Sequence, residues 1–387
     1  MMTSRQRLVC ALNGGQPDRL AVTTHHVMDS FLNNYLDNAS SMEFFDRFGF
    51  DAIRWVVAHR PEASKGEFLD PLQGEPGFLE ARRVATERWR VFTEEISGRE
   101  WPTTRYRFAT PRGELSMTLQ VQEHTSWVVE HLIKKKADID LIGEYVTAPK
   151  CDAEAVNVEA RGFGERGIIR GHICTFDVFG QPGTWQDAAC LVGVERLIME
   201  TYDDPTWVHT LLGILQQRKL TYTHSLTGAA YDVIELGGGD ASSTVISPRV
   251  FDQFVAPYDS EIIAAAHEAG QRIVYHTCGG MMPLLERIAD MEPDAMETFT
   301  PRTMGGDVEL AEAKHRIGDK VCMIGGFDQF HYFTGCAPEQ TRAEVRRCFE
   351  AAGPGGGYIL SPSDHFFDAD LKLIEAFADE ARKCIYS

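Results

Sequence analysis

The C-terminal half of the chain alternates between two hydrophobic periods. Short runs that are apolar at successive positions read as strands: "DVIELGG" (232–238), "RIVYHTC" (272–278), "AMETFTP" (295–301), "KVCMIGGFD" (320–328) and "GYILSPSD" (357–364). Between them lie segments whose apolar residues return every three or four positions, the helix period. These are 247–270, "MMPLLERIADM" (281–291), "DVELAEAKHRIG" (307–318), 338–353 and 368–386. The helices start near Ser, Pro or Asp, and several close on Gly. Strands apolar on both faces and joined through helices imply a parallel sheet covered on both sides.

The first half is less regular. Residues 3–13 carry a helix pattern, "RLAVTTHH" (19–26) a first strand, and 40–56 a helix, a Gly turn and a second strand. From 86 to 130 strict alternation replaces the helix period, with "TPRGE" (110–114) as a hairpin turn. "GIIRGHICTF" (167–176) restarts the strand–helix rhythm, and 185–227 reads as helix. Parallel strands are therefore expected near 20, 52, 168, 232, 272, 296, 321 and 358. Eight such units predict a single (β/α)₈ TIM barrel spanning 1–387, with an N-terminal helical extension and an antiparallel β insertion around 86–130. A doubly wound open sheet is the alternative, but no Gly-x-Gly-x-x-Gly opens a helix after the first strand.

In a barrel, chemistry collects where strands end. Here those ends are "THH" (24–26), "GHICTFD" (171–177), "ELGGGD" (235–240), "YHTCGG" (275–280), "ETFTP" (297–301), "GGFDQFH" (325–331) and "SPSDHF" (361–366). His276 and Cys278 stand two apart on an extended segment, so both face one side. Imidazole and thiolate together suit zinc. The same pair would also serve as a carbonyl-bonded His and a small core Cys. Further ligands would come from Glu235, Asp240, Glu297, Asp328, Asp364 or His365, each of which has an ordinary use as a cap or ion-pair partner. His172 and Cys174 repeat the spacing, with His172 expected in the pocket and Cys174 in packing. Of His25 and His26, neighbours on a strand, at most one should reach the mouth. Phe176, Trp185, Phe299, Phe327 and Phe330 are pocket-wall or core candidates.

A formal net charge of −19 argues against a general affinity for nucleic acid or anionic membrane. Nine scattered cysteines without a CxxC pair suggest reduced thiols, and with no signal-peptide h-region and no span-length apolar run a cytoplasmic location is expected. There is no Gly-x-Ser-x-Gly elbow. The Gly-rich stretch at 353–358 precedes a strand and lacks the Lys of a phosphate loop.

Taken together, "R-x-x-x-A-L-x-G-x-x-P-D-R" (7–19), "GFDAIR" (49–54), "ISPRVFDQFVAPY" (246–258), "YHTCGG" (275–280), "IGGFD" (324–328) and "GGYILSPSDHF" (356–366) resemble the uroporphyrinogen decarboxylase-like superfamily. That resemblance implies a TIM barrel. The true decarboxylases of the superfamily carry an Arg-rich segment near the N-terminus for substrate carboxylates. The matching stretch here, 24–37, holds no arginine. A second branch contains corrinoid-linked zinc methyltransferases, whose ligands are a His-x-Cys and a later Cys. The resemblance to it implies zinc on His276 and Cys278, with Asp364 where that branch places its later cysteine.

On this reading Glu235, Asp240 and His172 are the catalytic candidates. His26, Phe176, Glu297, Asp328 and His365 would line the substrate site. The expected partners are a small methylated compound as donor or acceptor, a corrinoid carried by a separate protein, and a second copy of the chain in a homodimer. A carboxylate in place of a thiolate hardens the metal site and favours polarising a methyl donor over activating a thiol acceptor. Two other functions compete. One is metal-free decarboxylation, which needs arginines at the mouth, with Arg54, Arg170 and Arg302 as candidates. The other is a non-catalytic binder of corrinoid proteins.

Overall fold

A computed structural model describes residues 1–77, 80–122 and 125–386. Eight parallel strands form one sheet: β1 Ala21–Val22, β2 Ala52–Trp55, β3 Gly167–His172, β4 Val233–Gly237, β5 Ile273–His276, β6 Ala295–Thr298, β7 Cys322–Phe327 and β8 Tyr358–Pro362. They lie in the order β1-β8-β7-β6-β5-β4-β3-β2, the cyclic order of a (β/α)₈ barrel. All eight fall where the hydrophobic rhythm placed them. β1 differs in length: only two of the eight residues at 19–26 are strand.

The two ends of the sheet meet at β1 and β2, where the Asp51 N–H donates to the Val22 carbonyl at 2.7 Å. The Asp51 carboxylate accepts from the Val22 N–H at 3.0 Å, from Arg7 at 2.5 Å and from Arg19 at 3.1 Å. Arg7 also reaches Asp18 at 2.9 Å. The motifs at 7–19 and 49–54 are thus one buried ion network at the bottom of the barrel seam. They are stability chemistry, remote from the strand ends that form the mouth.

Helices cover the barrel as their period requires. Thr3 and Ser40 open Ser4–Leu12 and Ser41–Phe48 with reciprocal capping boxes, and Gly49 ends the latter in a left-handed conformation. The expected helix at 247–270 is two helices, Pro248–Phe254 and Ala256–Glu268, because Pro257 cannot continue the hydrogen-bond ladder across Val255. Asp259 on the second is buried. It accepts from the Tyr275 hydroxyl at 3.0 Å and from the Thr184 N–H at 3.2 Å, tying both helix layers to β5.

The insertion between β2 and β3 is an antiparallel sheet of Arg90–Glu95, Thr103–Thr110, Gly113–Val121 and Ser126–Glu130. It starts earlier than its alternation suggested, with a two-strand ladder pairing Glu67–Leu69 and Val84–Thr86. Residues 123 and 124 of the insertion lie outside those described. Helices Asp138–Tyr145 and Ala153–Phe163 return the chain to β3. No helix among the described residues is long and apolar enough to cross a membrane.

Truncating Asp51 to Ala leaves buried Arg7 with Asp18 as its remaining partner and half-buried Arg19 without its carboxylate. The expected loss is about 3–5 kcal/mol of unfolding free energy, read as a fall in the urea midpoint of Asp51→Ala. A midpoint within error of wild type would remove the seam network from the stability account.

Candidate metal and substrate site at the barrel mouth

The site rests on one buried cation. Arg170, on β3 and 1% exposed, points into the barrel. Its guanidinium bonds Glu297 on β6 through two nitrogens, at 2.9 Å from Nη1 to Oε2 and again from Nη2 to Oε1. Nη2 also reaches Glu235 on β4 at 2.5 Å. Its flat face lies 4.5 Å from the Trp55 ring centre. The Trp55 indole N–H in turn donates to the His25 carbonyl at 2.8 Å.

Each carboxylate then holds an imidazole. Glu235 Oε2 lies 2.8 Å from His25 Nε2, and Glu297 Oε1 lies 2.8 Å from His276 Nδ1. Burial alone would raise both carboxyls. Arg170 and the two histidines outweigh it and hold both well below the usual carboxylate range. With His276 anchored through Nδ1, its Nε2 faces Cys278 Sγ at 3.0 Å. Burial opposes charge on His276, yet Cys278, Glu297 and Glu235 raise its pKa well above normal. Burial keeps the Cys278 thiol up against the pull of His276.

The backbone at these strand ends is shaped for close approach. Gly237 (φ 104°) pairs in register with His276, where a Cβ would collide with the His276 carbonyl, and the Gly238 N–H donates to that carbonyl at 2.6 Å. Directly after Glu297, Thr298 (φ 86°) and Phe299 (φ 47°) sit in the left-handed region, rare for a β-branched residue. The Thr298 hydroxyl bonds the Thr277 carbonyl at 2.5 Å, fastening the end of β6 to the His-x-Cys turn.

The cleft above has a volume of about 220 Å³ and is lined by His25, His276, Glu297, Ser363 and Asp364, among others. Asp364 accepts from the His365 N–H at 2.7 Å, and its charge also acts on Cys278. His25, His26 and His365 converge beside it, with ring nitrogens 2.9–3.1 Å apart. Because β1 ends at Val22, residues 23–26 are not strand, and the alternation that would send His25 and His26 to opposite faces does not apply. Both reach the mouth.

The other expected residues make different contacts. His172 is buried and donates from Nδ1 to the Ile173 carbonyl at 2.9 Å. Cys174 is buried beside Arg218. Asp240, in a short turn after β4, is felt electrostatically at Cys190, and burial raises its pKa. Phe176 packs under the insertion against Phe108 and beneath Arg218. Asp328 caps Gln329–Tyr332 and accepts from Thr303 and His331. Arg54 and Arg302 are surface residues paired with Glu159 and Glu309. Arg170 and Trp55 were the residues that pattern reading undervalued. The available signal was an arginine inside an otherwise apolar strand, which can only be buried against carboxylates.

Two donors for the zinc implied by the motif resemblance are in place, His276 and Cys278, and among the described residues no third His, Cys, Asp or Glu ligand atom lies within 4.8 Å of both. A thiol and an imidazole nitrogen face each other, the other imidazole nitrogen is held by a carboxylate, and the hydroxyl of cleft residue Ser363 is buried with no hydrogen-bond partner among the described residues. One guanidinium against two carboxylates leaves a negative balance that a cation would offset.

The chain belongs to the uroporphyrinogen decarboxylase (URO-D) family, whose model matches residues 179–384. It is 28% identical to the uroporphyrinogen decarboxylase of Thioalkalivibrio sulfidiphilus over 192 residues, 47% of this chain and 50% of that one. It is 28% identical to that of Vibrio cholerae over 249 residues, 60% and 64% of the two chains. The chain thus spans about half to two thirds of the length of these relatives. A methyltransferase from Methanosarcina mazei shares the fold across 99% of both chains, with a TM-score of 0.62 at 16% identity.

Replacing Arg170 with Met leaves Glu235 and Glu297 facing one another in the interior. Unfolding free energy should fall by about 3–5 kcal/mol. Adding Glu297→Met to Arg170→Met should recover part of that loss, and denaturant titrations of the two variants compare them. A double variant no more stable than Arg170→Met would refute direct coupling.

Proposed function

We propose that the protein is a zinc-dependent methyltransferase moving a methyl group between a small methylated compound and a corrinoid carried by another protein. The observation that carries this reading is the His276–Cys278 pair, its side chains 3.0 Å apart and its imidazole held from behind by Glu297. His276 Nε2 and Cys278 Sγ would hold the metal, with Asp364 as the nearby carboxylate. When bound, zinc supplies Lewis acidity to the heteroatom that carries the methyl group.

The chain's own residues set the stage. Glu297 fixes the His276 tautomer by taking its Nδ1–H, leaving Nε2 as the donor. Arg170 holds Glu297 at the correct height and keeps it ionised. Binding the metal requires the thiol and the charged imidazole to give up protons, so uptake should release them.

The relatives' names raise decarboxylation as a competing reading. A porphyrinogen carries many carboxylates and needs cations to receive them. Arg170 is already committed to two glutamates, and Arg54 and Arg302 are paired on the surface. The cations proposed from sequence therefore lend decarboxylation no support.

The test supplies cob(I)alamin and a panel of small O-, S- and N-methyl compounds, and follows methylcobalamin formation by absorbance. At least one compound should be demethylated. Glu297→Gln should slow turnover by about 10–100-fold, as loss of an outer partner does, and Cys278→Ser should slow it further while losing zinc. Full activity and zinc content in a His276→Ala, Cys278→Ser double variant would sink the proposal. Carbon dioxide release from uroporphyrinogen without methyl transfer would favour the lyase.

A further inference from the structure

We propose that His25, His26 and His365 form a second metal site at the barrel mouth, separate from His276 and Cys278, for a divalent first-row transition ion. Three ring nitrogens meet there: His25 Nδ1 to His365 Nε2 is 3.1 Å, His26 Nδ1 to His25 Nδ1 is 3.1 Å, and His365 Nε2 to His26 Nδ1 is 2.9 Å. This is a nearly equilateral triangle of imidazole donors. An ion about 2.1 Å from each nitrogen would see angles of roughly 90° across edges of this length. That is the arrangement of three ligands on one face of an octahedron.

The groups behind the rings support the assignment. His25 Nε2 lies 2.8 Å from Glu235 Oε2, so its ring proton is held on that side and Nδ1 presents a lone pair to the triangle. His365 Nδ1 lies 3.4 Å from Asp364 Oδ1, a carboxylate behind the second ring as well. Metal-bound histidines usually carry such a carboxylate or carbonyl on the far nitrogen.

Imidazole donors suit zinc, cobalt, nickel or iron and discriminate against magnesium and calcium. Because His25 also lines the cleft, positions left open on the ion would face it and accept an oxygen or nitrogen donor from a small molecule bound there. The two metal positions would be served by different imidazoles, although the His25 and His276 rings are neighbours, 5.1 Å between centroids. Asp364 and the carboxylate–guanidinium frame of Glu235, Arg170 and Glu297 would be common to both.

Cobalt(II) titration of the metal-stripped full chain tests this, because a thiolate-bound cobalt shows a sulfur charge-transfer band and a three-histidine site does not. Wild type should bind two equivalents. Cys278→Ser should keep one and lose the band. His365→Gln and His26→Gln should each keep one and retain the band, with circular dichroism confirming that both fold. Uptake in both histidine variants equal to wild type would overturn the site. So would a single equivalent that also requires Cys278, or no uptake at all. A single equivalent kept in Cys278→Ser and lost in the histidine variants would sustain this site and remove His276–Cys278 as a metal grip.

Discussion

A single guanidinium sets the geometry of the mouth. Arg170 is buried, and a lone buried charge is too costly to tolerate, so it must be paired. The barrel pairs it twice, with Glu235 and Glu297 from strands on the same interior face. Three charged groups in low dielectric constrain one another tightly, because displacing any one of them uncovers the others. Each carboxylate then spends its remaining lone pairs on an imidazole, and those imidazoles are the groups aimed at the cleft. The positions of His25 and His276 therefore follow from Arg170. The Trp55 ring on the guanidinium closes the loop by holding the His25 backbone.

The backbone at the strand ends follows the same logic. Two residues with positive φ after Glu297 cost of order 1–3 kcal/mol each, and the surrounding packing has to hold them there. They turn the chain away immediately above the carboxylate, and the Thr298–Thr277 bond locks that turn to the His-x-Cys loop. The glycine at 237 serves the opposite need, since any side chain would push the His276 carbonyl outward. Stability at the bottom of the barrel and strain at its mouth are separated. The Arg7–Asp18–Arg19–Asp51 network sits at the opposite end of the strands from the mouth.

How much of this the sequence disclosed depends on the range of the interactions. Strand and helix periods are local, and they were sufficient to place all eight barrel strands. The His276–Cys278 contact was legible because two residues of one extended segment share a face. Errors arose where a local rule was extended past its element. The alternation rule misjudged His25 and His26 because β1 stops after two residues, which depends on pairing with β8 and not on composition. Phe176 and Asp328 sit at strand ends by number, but an insertion and a helix cap claim them. Arg170 was undervalued because its role exists only when β3, β4 and β6 are brought together.

The charge pattern at the mouth bears on what the site can hold. Arg170 cancels one of its two glutamates, and Asp364 adds a further carboxylate nearby. The surplus is negative and largely shielded from water. Without a metal, protonation of His276 supplies positive charge here, and Cys278, Glu297 and Glu235 together raise its pKa despite burial. A group that must protonate to balance a buried charge marks a place where a cation is energetically at home. A zinc ion bound by His276 and Cys278 would replace that proton with a stronger Lewis acid at the same point. The same surplus disfavours a polycarboxylate substrate, which would have to bring further negative charge into it. On the reading proposed above, the site suits a neutral or cationic methyl donor.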